Sequence, residues 1–374
     1  MLSPIKPLQL SLTEGQKKVL GVVRQHGSLP RTKIAELTGF GTGSVTTLCK
    51  ELLSLQLIHE SERVKGGRGQ PAKPVSLSPY AAFTFGVAFH IAKIDLALAN
   101  FTGEILDRVE IFYDESQPLK DTIILIEKSI EKLTVKHRLV NARILGIGVS
   151  MPGPHMSDGK CVHTIDQMKH WRNVDLAALF GEQFDYPVWI DNDCKVAAVG
   201  EYYSGLWEET KHLVLIEIGH GIGGAVIMDG KLYSGRHNNA GEIGTFFNRR
   251  DKLRPCLREL IIELQDAGLD VVKLEDIPDI THPIVANWIK RSAERLMPAL
   301  LLTLSWFDPE CIVIGGTSPK AISDALIKEM DLTTEWNSRF DYPVAEIASS
   351  RVGKYLSSYG ASMYPVFQTL SYQT

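Results

Sequence analysis

Apolar positions in the first 78 residues recur at helical spacing in three short runs, and beyond them the spacing changes to that of strands. Leu12 to His26 forms the first run. PRTKIAELTG forms the second, ending at Gly39, and GTGSVTTLCKELLSLQLI the third, with an apolar face of Val45, Leu48, Leu52, Leu53 and Leu55. The tight glycine-containing turn between the second and third helices is the helix-turn-helix signature. IHESERVKGGRGQPAKPVSLSP then predicts two strands about a basic, glycine-rich tip, which makes a β-hairpin wing. Further on, VWIDNDCKVAAVGEYYSG predicts a strand that ends in Asp191, Asn192 and Asp193 and runs into a small-residue helix. LVLIEI predicts a short buried strand. AVIMDGKLYSG reads as a hairpin, because Asp229-Gly230 is a two-residue turn between alternating segments.

Charge sharpens the same division. Residues 1 to 78 hold 11 Lys/Arg against 5 Asp/Glu, a balance of +6; the other 296 hold 29 against 39, a balance of −10. A basic module on an acidic body points to a polyanion partner for the first part only. Opposite its apolar stripe the third helix offers Thr42, Ser44, Thr46, Thr47 and Lys50, short hydroxyls and a cation suited to base edges and phosphates in a major groove. Arg31, at the start of the second helix, joins this DNA-binding set. In the wing, Arg68 between glycines, with Lys65, Gln70 and Lys73 nearby, suits a narrow minor groove, where the potential is most negative. A solvated basic face would explain the charge alone. Helix spacing, turn and wing together favour double-stranded DNA.

Composition limits the remaining classes. A chain of 374 residues exceeds the usual single-domain size, and 44% apolar with 22% charged residues is ordinary for a soluble globular protein. No apolar run approaches the roughly 18 residues of a membrane span, and the N-terminus lacks a signal-peptide core. A cytoplasmic location is expected. Cys49, Cys161, Cys194, Cys256 and Cys311 are scattered without a CxxC pair, which argues against a disulfide framework and a zinc cluster.

Candidate chemistry concentrates between residues 187 and 245. Gly219, Gly221, Gly223 and Gly224 follow LVLIEI directly, and glycines after a strand let backbone N–H groups approach a phosphate closely. A bulge or tight turn is the equally ordinary reading of such a cluster. Asp191, Asn192 and Asp193 lie at a strand's carboxyl end, where open α/β sheets bind ligands. An N-cap for the following helix accounts for one of the three. Glu242, in AGEIG, is a carboxylate flanked by residues too small to shield it.

The motifs LGIGVSMPGP (145–154), PVWIDNDCKVAAVGE (187–201), GHGIGGAVIMDGKLYSG (219–235), AGEIG (240–244) and IVIGGTSP (312–319), with GGRGQPAKPVSLSP at the wing, stand in order along the chain. By them the chain resembles the ROK family of repressors, open reading frames and sugar kinases, and in particular its repressor branch, the N-acetylglucosamine and xylose repressors. The resemblance implies an N-terminal winged helix-turn-helix followed by a two-lobed α/β actin-like domain of the ribonuclease H-like, sugar-kinase type. Expected divisions are 1–78 for the DNA-binding domain, 79–190 for a first lobe to which a C-terminal helix at 355–374 returns, and 191–354 for a second lobe with dimer contacts. By position, Asp193 would be the base of a family kinase. Gly153, Asn192, Asp193, Asn238, Glu242 and Thr245 would line the sugar site, with the Gly219–Gly224 loop facing the γ-phosphate.

Departures from the family pattern redirect the expected function. Family kinases carry an Asp-x-Gly-Gly-Thr phosphate loop in the first hairpin, but GVAFHIAKIDLALAN has Ala88, Phe89, His90 and Ile91 there. Phosphoryl transfer rests on positioning and neutralising phosphates, so kinase activity is expected to be lost, leaving Asp193 as a vestigial base. After AGEIG the family has a histidine and three cysteines that hold a structural zinc; here Thr245 and the single Cys256 stand in TFFNRRDKLRPCLRELI, too few ligands, and no cofactor is expected. Phe246 and Phe247 are expected to pack in place of the metal. Arg258 stands where the family has a further sugar-contacting glutamate, a charge reversal that points to an anionic effector. The expectation is a repressor of carbohydrate-utilisation genes, a homodimer or tetramer, that answers to a sugar, sugar phosphate or sugar acid. An ATP-dependent sugar kinase fused to a DNA-binding domain, or a regulator that senses a partner protein, are the alternatives.

Overall fold

The computed structural model describes residues 10–61, 73–156, 161–204, 207, 210–248, 250–330 and 344–371. Three helices lead: α1 (Glu14–His26), α2 (Arg31–Thr38) and α3 (Thr42–Ser54). α1 begins two residues after Leu12 because Thr13 and Gln16 form a reciprocal capping box. Gly39 ends α2 at φ +71, a conformation with little cost only for glycine. Val45, Cys49 and Leu52 are the buried face of α3; Leu55, expected there, is the half-buried C-cap, and the small Cys49 thiol takes the interior place. β1 (Ile58–Glu60) and β2 (Val75–Leu77) pair antiparallel, and the segment joining them, with Lys65, Arg68 and Gln70, lies outside the described residues.

The body holds two sheets of the same design. In the first, β3 (Phe83–His90), β4 (Lys93–Asn100) and β5 (Ile105–Phe112) form an antiparallel meander, and β6 (Ile144–Met151) and β7 (Val188–Asn192) add parallel strands beyond β3, giving the order β5-β4-β3-β6-β7. The second repeats the plan with β8 (Leu213–Ile218), β9 (Ile222–Met228), β10 (Lys231–Tyr233), β11 (Cys311–Gly315) and β12 (Glu346–Ser349), in the order β10-β9-β8-β11-β12. Helices α4 (Leu119–Lys136) and α5 (Leu176–Gln183) accompany the first sheet. The second has α7 (Leu257–Asp266), α8 (Pro283–Phe307) and α9 (Lys320–Glu329). Parallel strands joined through helices and buried on both faces read as continuous apolar runs, as β6 and β8 do.

Two helices bind the sheets together. α6 (Asp193–Tyr203) follows β7 directly, and α10 (Leu356–Leu370) lies against β3, β4 and β6 as well as α6. Their approach needs glycine: a Cβ on Gly86 would lie 2.2 Å from the Ser362 amide nitrogen, and one on Gly360 2.2 Å from the Val196 carbonyl. α10 also carries the N-terminal module, since Tyr359, Met363, Val366 and Leu370 share one core with Val19, Leu20 and Val23 of α1. Arg24 of α1 is half-buried at this junction, donates to the Phe101 carbonyl, and lies over the Phe101 and Tyr203 rings at 5.3 and 5.5 Å. Among the described residues no helix is long and apolar enough to cross a membrane.

Candidate functional site

β7 delivers Asp191 and Asn192 to the space between the sheets, and α6 starts at Asp193. Asn192 is the N-cap: its Oδ1 accepts from the Cys194 and Lys195 amides at 3.0 and 3.3 Å. Its Nδ2 donates to the Gly153 carbonyl at 2.8 Å, so two of the expected sugar-site residues meet directly. Gly153 has φ +115, and a Cβ there would strike the His163 carbonyl at 2.3 Å.

Asp191 belongs to a buried network instead. Its carboxylate is met by His155 Nε2 at 2.7 Å, by the Tyr364 hydroxyl at 2.6 Å, and by Lys195 Nζ at 3.5 Å. Burial alone would raise its pKa, but the His155 bond, the Lys195 charge and the Tyr364 bond together hold it below the usual carboxylate value. Lys195 also donates to the Asn238 carbonyl. Asn239 Nδ2 donates to the His155 carbonyl at 3.0 Å and Asn239 Oδ1 accepts from the His155 amide at 2.9 Å. The 238–239 loop is thereby tied both to α6 and to the loop after β6.

At the head of α6, Asp193, Cys194 and Glu217 place an oxygen, the sulfur and an oxygen within 4.8 Å of one another. Burial raises Asp193 to about 6, against backbone hydrogen bonding and the opposing charge of His90. Burial, followed by the charge of Asp193, raises Glu217 to about 8, and Glu217 Oε2 has no hydrogen-bond partner. Glu242 stands close enough for its charge to raise the Cys194 thiol further. So Asp193, Glu217 and Glu242 gather acidic groups around Cys194, in a partly buried recess at the head of α6, and His90 at the end of β3 is near enough for its charge to act on Asp193. Glu217 was missed from the sequence, although an acid inside the apolar run LVLIEI is a visible signal.

The Gly219–Gly224 cluster divides into two parts. Only Gly219, His220 and Gly221 form the turn, closed by the Gly219 amide on the Gly221 carbonyl at 2.9 Å; Gly223 and Gly224 lie in β9 opposite Glu217 and Ile216. Gly223 is required because a Cβ would sit 2.3 Å from Cys194 Sγ. Thr245 is exposed and its hydroxyl donates to the Glu242 carbonyl at 2.8 Å. Cys256 is buried as the N-cap of α7. Phe247 packs into the second core but Phe246 is 49% exposed, so only one of the two expected aromatics fills the interior. Arg258 pairs with Glu259 at 2.6 Å. Burial, then the charge of Arg258, lowers the pKa of His220 in the glycine turn.

On the N-terminal module, Thr42, Ser44, Thr46, Thr47 and Lys50 are all exposed along one side of α3. The Thr46 and Thr47 hydroxyls return to the carbonyls of Thr42 and Gly43 at 2.8 and 3.2 Å. Arg31 is held by Glu60 at 2.7 Å, and Glu60 is also paired with Lys73 at 3.2 Å.

Duplicated sheets of this order, closing on a hinge helix that carries the acidic recess, define a two-lobed actin-like sugar-kinase fold. The pattern of the ROK family matches residues 84–256, and the chain belongs to that family. It is 26% identical to the xylose repressor of Caldicellulosiruptor bescii over 80% of this chain and 82% of that protein. It is 31% identical to a glucokinase of Halalkalibacterium halodurans over 65% of this chain and 82% of that one. Among solved structures, a ROK family transcriptional regulator described as a homologue of the Escherichia coli Mlc protein superposes with a TM-score of 0.68 at 21% identity, covering 96% of each chain.

Proposed function

We propose that this protein is a cytoplasmic, sugar-responsive transcriptional repressor of carbohydrate-utilisation genes whose kinase-like body has become a sensor. One observation carries the reading. At the tip of the first hairpin, where a phosphate loop would stand, Ala88 and Phe89 are buried in the core and His90 is paired with Asp95 at 3.1 Å. The packed side chains of Ala88 and Phe89 fill the place where a backbone loop would have to approach a metal-nucleotide. Residues 1–78 are the winged helix-turn-helix, reading DNA through Thr42, Ser44, Thr46, Thr47 and Lys50, with Arg31 positioned by Glu60 and the wing residues Lys65, Arg68 and Gln70 reaching the minor groove. Residues 79–190, with the helix returning at 355–374, and 191–354 are the two lobes.

Gly153, Asn192, Asp193, Asn238, Glu242 and Thr245 hold the effector, a sugar or sugar derivative. The residues do not fit the family's zinc: Cys256 is a lone buried thiol, and the Thr245 hydroxyl is turned to a carbonyl. Repressor relatives that span most of the chain support the regulatory output. Dimeric helix-turn-helix proteins read paired half-sites, so a lobe rotation that changes their spacing alters DNA affinity, and linkage requires DNA and effector to change each other's affinity by the same factor.

A coupled assay for ATP-dependent phosphorylation of hexoses, pentoses and N-acetylhexosamines tests the reading. No turnover above background is expected; turnover abolished by Asp193→Asn would establish the fused-kinase alternative, which the retained Asp193 and the glucokinase relative favour. In parallel, Glu242→Ala should remove the effect of the effector on DNA binding and leave DNA binding itself intact.

A further inference from the structure

A cavity of about 420 Å³ opens behind the hinge, within the roughly 300–1,000 Å³ range of small-molecule sites. Asp191 and Asn238 line it, so it borders the cleft at Asn238, but neither Gly153, Asn192, Asp193, Glu242 nor Thr245 does. Its walls come from three bodies: Trp189 from β7, Leu232 from β10 with Ser234 and Asn238 just after it, and Phe367 and Gln368 from α10. No uncompensated carboxylate faces it, because Asp191 is satisfied by His155, Tyr364 and Lys195. Lys231, also in the lining, takes part in an interaction of its own. The remaining chemistry is a set of aromatic and aliphatic faces with hydroxyl and amide groups beside them. A pyranose ring matches it, with C–H bonds for one face and uncharged hydroxyls for the rim.

The cavity also touches the output. Ser371 lines it, and the Ser371 carbonyl accepts from Lys17 of α1 at 2.9 Å. α10, which supplies Phe367 and Gln368, shares its core with α1 through Tyr359, Met363, Val366 and Leu370. A molecule here would bear at once on the first sheet, the second sheet and the helix that carries the N-terminal module.

We propose that this hinge cavity is a second effector site, which binds an uncharged monosaccharide-sized compound and transmits its occupancy through α10 to α1. The inference shares Asn238 with the sugar reading of the cleft and rests on none of the cleft's other residues. Hydrogen exchange on the full-length chain tests it, with D-xylose and methyl β-D-glucopyranoside as probes, each raised to its solubility limit. Exchange should slow in residues 231–234 and 364–371 and, through α10, in residues 14–26. Ser234→Trp, which fills the cavity, should abolish this, and Gln368→Ala should raise the half-saturating concentration about fivefold through loss of a hydrogen bond. Glu242→Ala should leave the effect unchanged. The proposal fails if no probe slows residues 231–234. It fails equally if slowing is confined to 153–155 and 238–242 and disappears with Glu242→Ala, which would leave the cleft as the sole site. Should Ser234→Trp not fold, an unshifted titration of Gln368→Ala overturns it alone.

Discussion

The two sheets open with equivalent hairpins that have been put to opposite uses. β3 and β4 turn through Ile91 and Ala92, with His90 opposite Lys93; β8 and β9 turn through Gly219, His220 and Gly221, with Ile218 opposite Ile222. In the first, Phe89 is buried and its ring lies 4.8 Å from Trp171 and 6.4 Å from Tyr113, so the tip is a packing element. In the second, glycines keep Cβ atoms away from Cys194 and Thr317, and Glu217 is left buried beside Asp193. The difference teaches that two hairpins of one design differ by what fills their tips: packed aromatic side chains in the first, and in the second glycines that leave room for buried polar groups.

The largest test of this comparison is Phe89→Ala. Truncating a buried aromatic typically costs about 3–5 kcal/mol, and Phe89 meets Trp171, Tyr113 and Phe180 edge to face. Urea unfolding should show a loss of about 4 kcal/mol without any gain in ATP turnover. A loss under about 1 kcal/mol would mean that the tip is not a core element, and the contrast between the hairpins would collapse.

Glu217→Gln sharpens the contrast from the other side. A carboxyl raised to about 8 in the folded protein stays protonated while the unfolded chain ionises, so stability falls as pH rises from the ordinary glutamate range toward the folded value. The amide removes that penalty and also relieves Asp193. Relative to wild type, the variant should gain on the order of 2 kcal/mol between about pH 5 and pH 9, read from denaturant midpoints across pH. Parallel profiles for the two proteins would show that Glu217 is solvated rather than held in a dry recess.

How much of this was readable in the sequence follows from the range of the contacts. The Gly39 stop and the Asp229-Gly230 turn, observed at φ +50 and +69, depend on neighbours within a few residues and stand where the pattern put them, whereas the equally local Thr13 capping box starts the first helix two residues beyond the Leu12 that the spacing suggested. The Asn192 cap is equally local. Asp191 was legible as a polar residue at a strand end but not as a network anchor, because its partners His155 and Tyr364 are 36 and 173 residues away. Gly223 looked like part of a phosphate loop, since only the folded chain brings Cys194 Sγ against it. The cavity behind the hinge has no motif of its own: its walls come from strands and a helix far apart in the chain.

The smallest expected effect separates the hairpins by the sign of their pH response. Asp95 on β4 faces His90 and Lys93 at 3.1 Å each. Burial would raise its pKa, yet the bonds and charges of His90 and Lys93 hold it below the usual aspartate value. A depressed folded pKa contributes stability above the unfolded value, lost as pH falls through the folded one, the reverse of Glu217. The pair partners are partly exposed, so solvent screens the interaction and Asp95→Asn should cost only about 0.5–1 kcal/mol near neutral pH. Below the aspartate range the cost should vanish, because the wild-type carboxyl is then protonated too. If Asp95→Asn instead stabilised the protein as pH rose above the aspartate range, as Glu217→Gln is expected to, both hairpins would carry buried, charge-disfavoured acids. The first would then have kept part of the recess that only the second is assigned here.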